Sequence, residues 1–357
     1  MSLITRSALL ATAALLSACG GATATDSAST GSASAASESS SSASGGQGSV
    51  TIYSGRNEEL VAPLLEQIEA ATGTEIEVRY GDTSALAAQL LEEGERSPAD
   101  IFFSQDAGAL GAVTKAGLFA PLDPASLSAV PTRFQDPQGR WVATSARARV
   151  IAYNPEQAPE AAEFTSVDAV LDPAYRGKVG FAPTNASFHA FVTALRVAKG
   201  EDGAKQWLTR FKDNDPQAFE KNGAVLAAVD SGEVSLGLIN HYYWHELVAE
   251  KGADAVNAQI RFLGADDPGA LINVAGVGVL ASSDAADQAQ KVVAYLLSRP
   301  AQQYFADETA EFPVIEGVQT TKHDLPTLAE LTGSSVDLGS LDSLETTLAL
   351  LDEVGLT

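Results

Sequence analysis

Residues 49–103 read SVTIYSGRNEELVAPLLEQIEAATGTEIEVRYGDTSALAAQLLEEGERSPADIFF and carry the clearest fold signal in the chain. Their apolar positions change repeatedly from the spacing of a strand to the spacing of a helix. The predicted elements are a strand at 49–53, a helix at 57–72, a strand at 75–80, a helix at 85–93 and a strand at 100–103. This alternation is typical of a parallel sheet whose strands are joined by right-handed crossovers.

A similar alternation follows residues 142–153, a long segment that we predict to be extended. Beyond it, the pattern predicts helices at 188–199 and 203–211 and a strand at 235–239. The chain has no internal repeat, and two open α/β lobes fit it better than one barrel. Because open sheets bind ligands at the carboxyl ends of their strands, we expect a ligand cleft between the lobes.

The first 19 residues are typical of a signal peptide, with a single Arg6 before an apolar stretch that is too short to span a membrane. Cys19 is the only cysteine in the 357 residues, so an intramolecular disulfide is excluded. The segment Leu16-Ser17-Ala18-Cys19 resembles a bacterial lipobox, which implies lipid modification of Cys19 and cleavage just before it. A plain secretory signal is the alternative.

Residues 20–48 are almost entirely Gly, Ala, Ser and Thr. Such a segment has too little apolar surface to offset the entropy of ordering, and we predict a flexible tether. A glycosylated stalk is the alternative, and it would also hold the folded part away from a membrane.

The chain carries 46 acidic and 22 basic residues, a formal net charge of −24. Such a surface repels phosphate groups, so we expect no nucleic-acid partner. The charge favours cations only diffusely and does not locate a site; a soluble exterior explains most of it.

The segment LGLINHYYWHEL, residues 236–247, is the strongest candidate for a functional site. An apolar strand ends at Asn240 and a helix is predicted to begin at about Tyr242. At a first helical turn both Tyr242 and Tyr243 can reach one point, and the free amides there favour phenolate. Phenolate is a hard anionic ligand that suits Fe³⁺. The alternative is an aromatic cluster that only packs between lobes.

Several short motifs, in this order and spacing, resemble the bacterial periplasmic ferric-ion-binding proteins, the transferrin-like solute-binding receptors of iron ABC importers. The resemblance covers essentially all of the chain after residue 48. The motifs are Ile52-Tyr53-Ser54-Gly55, Leu91-Glu92-Glu93-Gly94, Ser97 to Phe102, Ser145 to Val150, Pro183-Thr184, Lys221-Asn222, Asn240 to Trp244, Asp267 to Leu271 and Glu353 to Leu356.

The resemblance implies an α/β periplasmic-binding-protein fold with two lobes, an interlobe ligand cleft and crossing hinge strands. The lobe boundaries are then expected at 49–146 plus about 271–322 for the N-lobe, and at 147–270 plus about 323–357 for the C-lobe. The protein would be a monomer, lipid-anchored on the outer face of the cytoplasmic membrane. Its partner would be an ABC transporter permease.

The same resemblance implies that Tyr242 and Tyr243 bind ferric iron together with a synergistic anion, carbonate or phosphate. Positions that match the anion pocket are Asn185, Ala186, Ser187, Asn222 and Asn240. Arg147 and Arg149 could neutralise the charge of the anion or of the phenolates; for each of them an ordinary ion pair is the alternative.

Two departures stand out, because Asn57 and Gln105 align with the histidine and glutamate that complete the family's four-residue iron site. Neither is a strong ferric ligand. Anions or water would fill the vacant positions, or Tyr53, Glu58 or Asp106 would substitute. Otherwise the cargo is a ferric chelate or something other than bare iron.

Other functions are weaker candidates. No catalytic motif nominates a nucleophile and base, so we expect no enzyme activity. The i, i+4 pair His241 and His245 has the spacing of a zinc site but lacks a completing ligand, and we expect packed or exposed histidines there. A metal-free solute-binding protein for an organic or oxyanionic nutrient remains the main alternative.

Overall fold

A computed structural model describes residues 49–264, 267–328, 330–331, 338–341 and 343–357. The predicted signal peptide, Cys19 and the predicted tether lie outside these residues. The strands are β1 Val50–Ser54, β2 Ile76–Tyr80, β3 Ile101–Ser104, β4 Val142–Tyr153, β5 Val179–Phe181, β6 Gln217–Ala218, β7 Leu236–Asn240, β8 Gln259–Arg261 and β9 Ile272–Val279. The helices are α1 Glu58–Thr72, α2 Thr83–Glu93, α3 Ala107–Lys115, α4 Pro124–Ser128, α5 Ala186–Asp213, α6 Asn222–Ser231, α7 Tyr242–Lys251, α8 Ala286–Leu296, α9 Arg299–Glu308 and α10 Leu344–Val354, besides short 3₁₀ turns.

The strands pair in the order β2-β1-β3-β9-β4-β7-β5-β6, with β8 added beside β4. The β1–β2, β1–β3, β5–β6 and β5–β7 pairs are parallel, as the crossover pattern predicts. Strand β9 lies antiparallel between β3 and β4, so the sheet is mixed rather than purely parallel. This strand comes from late in the chain, and no crossover helix joins it directly to β3 or β4.

Strand β4 is common to both halves of the sheet. Its residues from Val142 to Ala148 pair with β9, and those from Arg149 to Tyr153 pair with β7. The apolar core changes along the same strand, since Ala148 packs in the cluster that contains β1 and β3, whereas Ile151 packs in the cluster that contains β7. The fold is therefore two-lobed with strands crossing between the lobes. The residue boundaries of the lobes stay a prediction.

Helix α1 shows how the local sequence produces these elements. Asn57 caps its first turn by accepting a hydrogen bond from the Glu59 amide at 3.3 Å. Gly73 ends the helix in the left-handed region at φ 68°, where glycine carries no steric cost. Between these caps, Leu64, Leu65 and Ile68 face the core at helical spacing.

The predicted helices at 188–199 and 203–211 form one span, α5, with a kink. Gly200 adopts φ 73° and ψ 168° inside it, so the chain turns sharply and resumes the helix at once. The prediction placed a break here but made it too long, because a single glycine suffices. In the described part of the chain, no helix is long and apolar enough to cross a membrane.

A buried ion pair links distant parts of the chain. The Arg56 guanidinium donates to both Glu311 carboxylate oxygens, at 3.0 and 2.6 Å, and both side chains are wholly inaccessible to solvent. Ser145 of β4 and Thr309 donate to the same carboxylate at 3.0 and 3.2 Å. Burial alone would raise the pKa of Glu311, but Arg56 outweighs it and holds that pKa below its ordinary value. The turn after β1, strand β4 and the loop after α9 thus meet at one carboxylate.

We expect Glu311→Ala to lower the free energy of unfolding by about 3–5 kcal/mol, because it leaves the Arg56 cation buried without a partner. Urea denaturation followed by tryptophan fluorescence measures the loss. Adding Arg56→Met should recover much of it, since an apolar side chain carries no charge to desolvate.

The matched control is Glu308→Ala, which breaks the exposed Lys322–Glu308 pair at 2.6 Å. Exposed pairs contribute little, so the urea midpoint should barely move. Equal losses in the Glu311 and Glu308 variants would contradict a structural role for the buried pair.

Candidate functional site

A cavity of about 220 Å³ lies where strands of the two halves of the sheet end. Its walls are the residues that directly follow β1, β2, β3, β5 and β7, as expected for ligand sites of open α/β sheets. The lining residues are Gly55, Arg56, Asn57, Gly81, Asp82, Thr83, Ser84, Gln105, Thr184, Asn185, Ala186, Tyr242 and Tyr243. A larger cavity of about 560 Å³, lined by residues 131–134 and 311–328, contains none of the predicted site residues.

The two adjacent tyrosines form one wall of the smaller cavity. Their ring centroids are 4.3 Å apart with an interplanar angle of 31°, and Tyr242 is only 1% exposed. Both belong to the first turn of α7, where backbone amides lack helical partners. Burial raises the pKa of Tyr242 well above its ordinary value, and it also raises the pKa of Tyr243. In the free protein both phenols are therefore neutral at pH 7.

His241, the residue before this turn, has a structural role. Its Nδ1 accepts from the Ala148 amide at 3.3 Å, and its Nε2 lies 2.8 Å from the Ala310 carbonyl oxygen, to which it donates. The ring stacks on Phe312 at 4.5 Å, and burial lowers its pKa to about 3. This neutral imidazole ties the start of α7 to β4 and to the loop after α9. In the described residues, no three His, Cys, Asp or Glu side chains are grouped to hold a metal.

Two further cations from β4 lie buried beside the tyrosines. Arg149 donates to the Ser187 hydroxyl at 3.0 Å, and burial lowers its pKa to about 10 although Tyr243 and Tyr242 act in the opposite direction. Arg147 is 1% exposed, and none of its three guanidinium nitrogens has a hydrogen-bond partner within the described part of the chain. Burial lowers the pKa of Arg147, whereas the Tyr242 phenolate would raise it. An unpaired buried cation is costly, so Arg147 favours negative charge beside it and opposes the raised pKa of Tyr242, although burial of the phenol outweighs this effect.

The predicted anion-pocket residues divide into two groups. Asn185 and Ala186 line the cavity, whereas Ser187, Asn222, Asn240, Arg147 and Arg149 lie buried behind its wall. Asn185 caps α5, and its side-chain oxygen accepts from the Ser187 amide and hydroxyl at 3.0 and 2.6 Å. Asn222 donates to the oxygens of Asn185 and Ser187 at 3.2 and 3.0 Å. One hydrogen-bonded network thus holds the first turn of α5 toward the cavity.

Asn57 and Gln105 both reach the cavity, on the wall opposite the tyrosines. The Asn57 side-chain oxygen accepts the hydrogen bond that caps α1. The Gln105 side-chain nitrogen lies 3.2 Å from the Tyr242 oxygen. The suggested substitutes Tyr53, Glu58 and Asp106 do not line this cavity. Tyr53 instead donates to Glu93 at 3.3 Å, and Asp106 caps α3.

Sequence reasoning missed Arg56 as a lining residue and Glu246 as a buried charged neighbour of Tyr243. Arg56 lies in a turn, where no periodic pattern marks it. Glu246 follows Tyr243 by three residues on α7, and helical spacing alone suggests its proximity. Burial and, to a smaller extent, Glu311 raise the pKa of Glu246 to about 7, against the lowering effect of Arg56.

Comparisons with known proteins agree with this geometry. A family described as "Bacterial extracellular solute-binding protein" matches residues 96–332. The "Major ferric iron-binding protein" of Neisseria meningitidis serogroup A is 34% identical over 312 residues, 86% of this chain and 93% of the relative. The "Fe(3+)-binding periplasmic protein" of Serratia marcescens is 34% identical over 308 residues, covering 86% of this chain and 90% of the relative.

A solved structure gives the same result in three dimensions. Iron-bound HitA from Pseudomonas aeruginosa superposes with a TM-score of 0.81 at 34% identity, over 86% of this chain and 99% of that one. Fold similarity, sequence identity and coverage all indicate the same family. The chain therefore belongs to the bacterial extracellular solute-binding proteins, in the same group as the periplasmic ferric-ion-binding proteins.

Proposed function

We propose that this protein captures ferric iron in the cleft between its lobes and hands it to an ABC importer. The observation that carries the proposal is the pair of adjacent tyrosines that lines a cavity beside the buried, unpaired guanidinium nitrogens of Arg147. Relatives that match 86% of the chain and are named for ferric iron support it.

The chemistry follows from charge. Fe³⁺ is a hard Lewis acid, and it binds phenolate oxygen strongly enough to displace the phenol proton. Two phenolates formed side by side would repel each other, and each needs a positive neighbour. The ferric ion supplies most of that charge, and Arg147 and Arg149 supply the rest from behind the wall.

A synergistic anion, carbonate or phosphate, would complete the coordination from the first turn of α5. The Ala186 amide beside Asn185 suits an oxyanion, because a helix N-terminus offers amide donors and a positive dipole end. Ser187 and Asn222 already bond to Asn185 and, with the buried Asn240, would support this turn from behind. Across the cavity, Asn57 is the remaining candidate to contact the metal or its water, whereas Gln105 lies at the Tyr242 oxygen. A ferric ion that arrives with its own carboxylate chelator would use the same donors.

Delivery would follow the family's transport role. Closure of the lobes around the crossing strands shields the ion from water, and an ABC permease opens them again. A lipid on Cys19 would keep the monomeric receptor at the outer face of the cytoplasmic membrane, and residues 20–48 would give it reach.

Ferric iron, added from a weak chelator in carbonate or phosphate buffer, should give the purified protein a visible absorption band. The band arises from charge transfer between phenolate and Fe³⁺, so the double variant Tyr242→Phe, Tyr243→Phe should lose it. The matched control is Tyr53→Phe, which alters a tyrosine that is 2% exposed and lies outside the cavity, and it should keep the band.

Absence of a band in the unmodified protein, together with no thermal stabilisation by iron, would rule out the ferric assignment. Screening of organic and oxyanionic nutrients by thermal shift would then test the metal-free alternative.

Iron affinity should fall steeply with acidification. Both phenols are neutral in the free protein, because burial raises their pKa values, and both lose a proton on binding. Two displaced protons predict a loss of about 100-fold in the binding constant for each pH unit between pH 8 and pH 5. Competition titrations against a chelator of known pH dependence measure the slope. With one phenol left, the Tyr243→Phe variant should show about half that logarithmic slope.

Cys19→Ser should release the protein from the membrane fraction of producing cells, because it removes the thioether attachment point. Fractionation followed by immunoblotting checks this. A variant that remains membrane-bound through high-salt washing would argue against lipidation at Cys19.

A further inference from the structure

Gln105 reaches across the cavity to one of the two tyrosines. It directly follows β3, whereas Tyr242 begins α7 on the opposite wall. The Gln105 Nε2 atom donates to the Tyr242 hydroxyl oxygen at 3.2 Å. The two residues are 137 positions apart in sequence, so this hydrogen bond joins the walls of the cleft in the absence of a metal.

Neighbouring loops on its own wall of the cleft hold Gln105 in place. Its amide nitrogen donates to the Thr83 hydroxyl at 3.2 Å, and that hydroxyl donates to the Gly55 carbonyl, also at 3.2 Å. A Cβ atom on residue 55 would lie 2.0 Å from the Thr83 oxygen, so glycine is required for the approach. Three loops of one wall thus fix the position from which the glutamine reaches Tyr242.

The direction of this hydrogen bond suits an ionised phenol. A phenolate can only accept, so a donor nitrogen keeps its bond when the proton leaves, and the bond becomes charge-assisted. A glutamate in the same place would offer only acceptor oxygens and would repel a phenolate until a metal came between them.

Tyr243 differs from Tyr242 in this respect. Asn222 lowers the pKa of Tyr243 in opposition to burial, but its amide nitrogen donates to Asn185 and Ser187. The amide donor that reaches across the cavity therefore serves Tyr242.

A side-chain amide cannot donate to the Tyr242 oxygen and ligate the same ion at once. Two oxygen ligands of one metal ion lie roughly 3 Å apart, since each bond is about 2.1 Å long. An amide oxygen that shared an ion with Tyr242 would have to take the place that Nε2 now occupies. The amide can turn only one of its two atoms to the phenol.

We propose that Gln105 is a positioning residue and not a ferric ligand: its side-chain amide donates to the Tyr242 oxygen before iron arrives and continues to donate to the metal-bound phenolate. Only the statement about the metal-bound phenolate rests on the proposed ferric function. The hydrogen bond from Gln105 to Tyr242 is observed in the structure itself. Gln105 would thereby hold Tyr242 in the orientation that binds the ion and would stabilise the negative oxygen.

The first experiment follows the Gln105 side-chain amide by ¹⁵N–¹H NMR in the full-length protein. Its two proton signals are identified by their absence in Gln105→Leu. One of them should lie downfield in the iron-free protein and return toward the free-amide position in Tyr242→Phe. A signal that does not respond to Tyr242→Phe overturns the proposal, whatever the protein does with iron.

Gallium, a diamagnetic trivalent ion, then replaces iron in the same measurement. The downfield proton should move further downfield, because its acceptor has gained negative charge. A return to the free-amide position would mean that the amide has turned its oxygen to the metal, and the proposal would fail.

The ferric complex provides the last readout. Gln105→Leu should still bind iron, but its charge-transfer band should move to longer wavelength, because a phenolate without a donor gives up an electron more easily. Iron release to a competing chelator should be about tenfold faster. The matched control is Gln89→Leu, which makes the same substitution on α2 at a residue that does not line the cavity, and it should equal the unmodified protein in band position and release rate.

Two results would contradict the positioning role. One is a Gln105→Leu variant whose band and release rate equal those of Gln89→Leu, and the other is a Gln105→Leu variant that loses iron altogether, as expected for a ligand. If the unmodified protein shows no charge-transfer band, the proposed ferric function is wrong. The NMR comparison without iron still decides whether Gln105 donates to Tyr242.

Discussion

The site depends on one continuous strand. Strand β4 pairs with β9 through its first half and with β7 through its second half, so the two halves of the sheet are held edge to edge by a single run of backbone. That arrangement brings the carboxyl ends of β1, β2 and β3 opposite those of β5 and β7. The cavity is the space that remains between them, and every residue that lines it follows a strand end.

The same strand carries much of the local charge. Arg147 and Arg149 project from β4 into a region shared with two neutral phenols, the carboxyl groups of Glu311 and Asp106 and the Arg56 guanidinium. Arg147 is buried and has no hydrogen-bond partner among the described residues. Negative charge placed beside it would therefore be stabilised.

Sequence alone predicts the elements with local signals and fails where contacts are long-range. The periodicity of residues 49–103 and the transition at Asn240 suffice to place the strands, helices and the tyrosine pair, because caps and apolar spacing act over a few residues. By contrast, the Arg56–Glu311 pair joins positions 255 apart, and Gln105 meets Tyr242 across 137. The antiparallel insertion of β9 between β3 and β4 also joins segments that are far apart in sequence. Such long-range pairings are visible only in the folded structure.

The imidazole of His241 has a mechanical consequence for how the cleft opens. Both ring nitrogens bond to backbone atoms, one on β4 and one beside Phe312, so the first turn of α7 is fastened to the hinge itself. Bending of the sheet would carry the phenols with the pivot, where displacements are smallest. The opposite wall, with Asn57 and Gln105, would travel furthest. Cargo would then leave in two stages, losing the moving wall first and the stationary oxygens last.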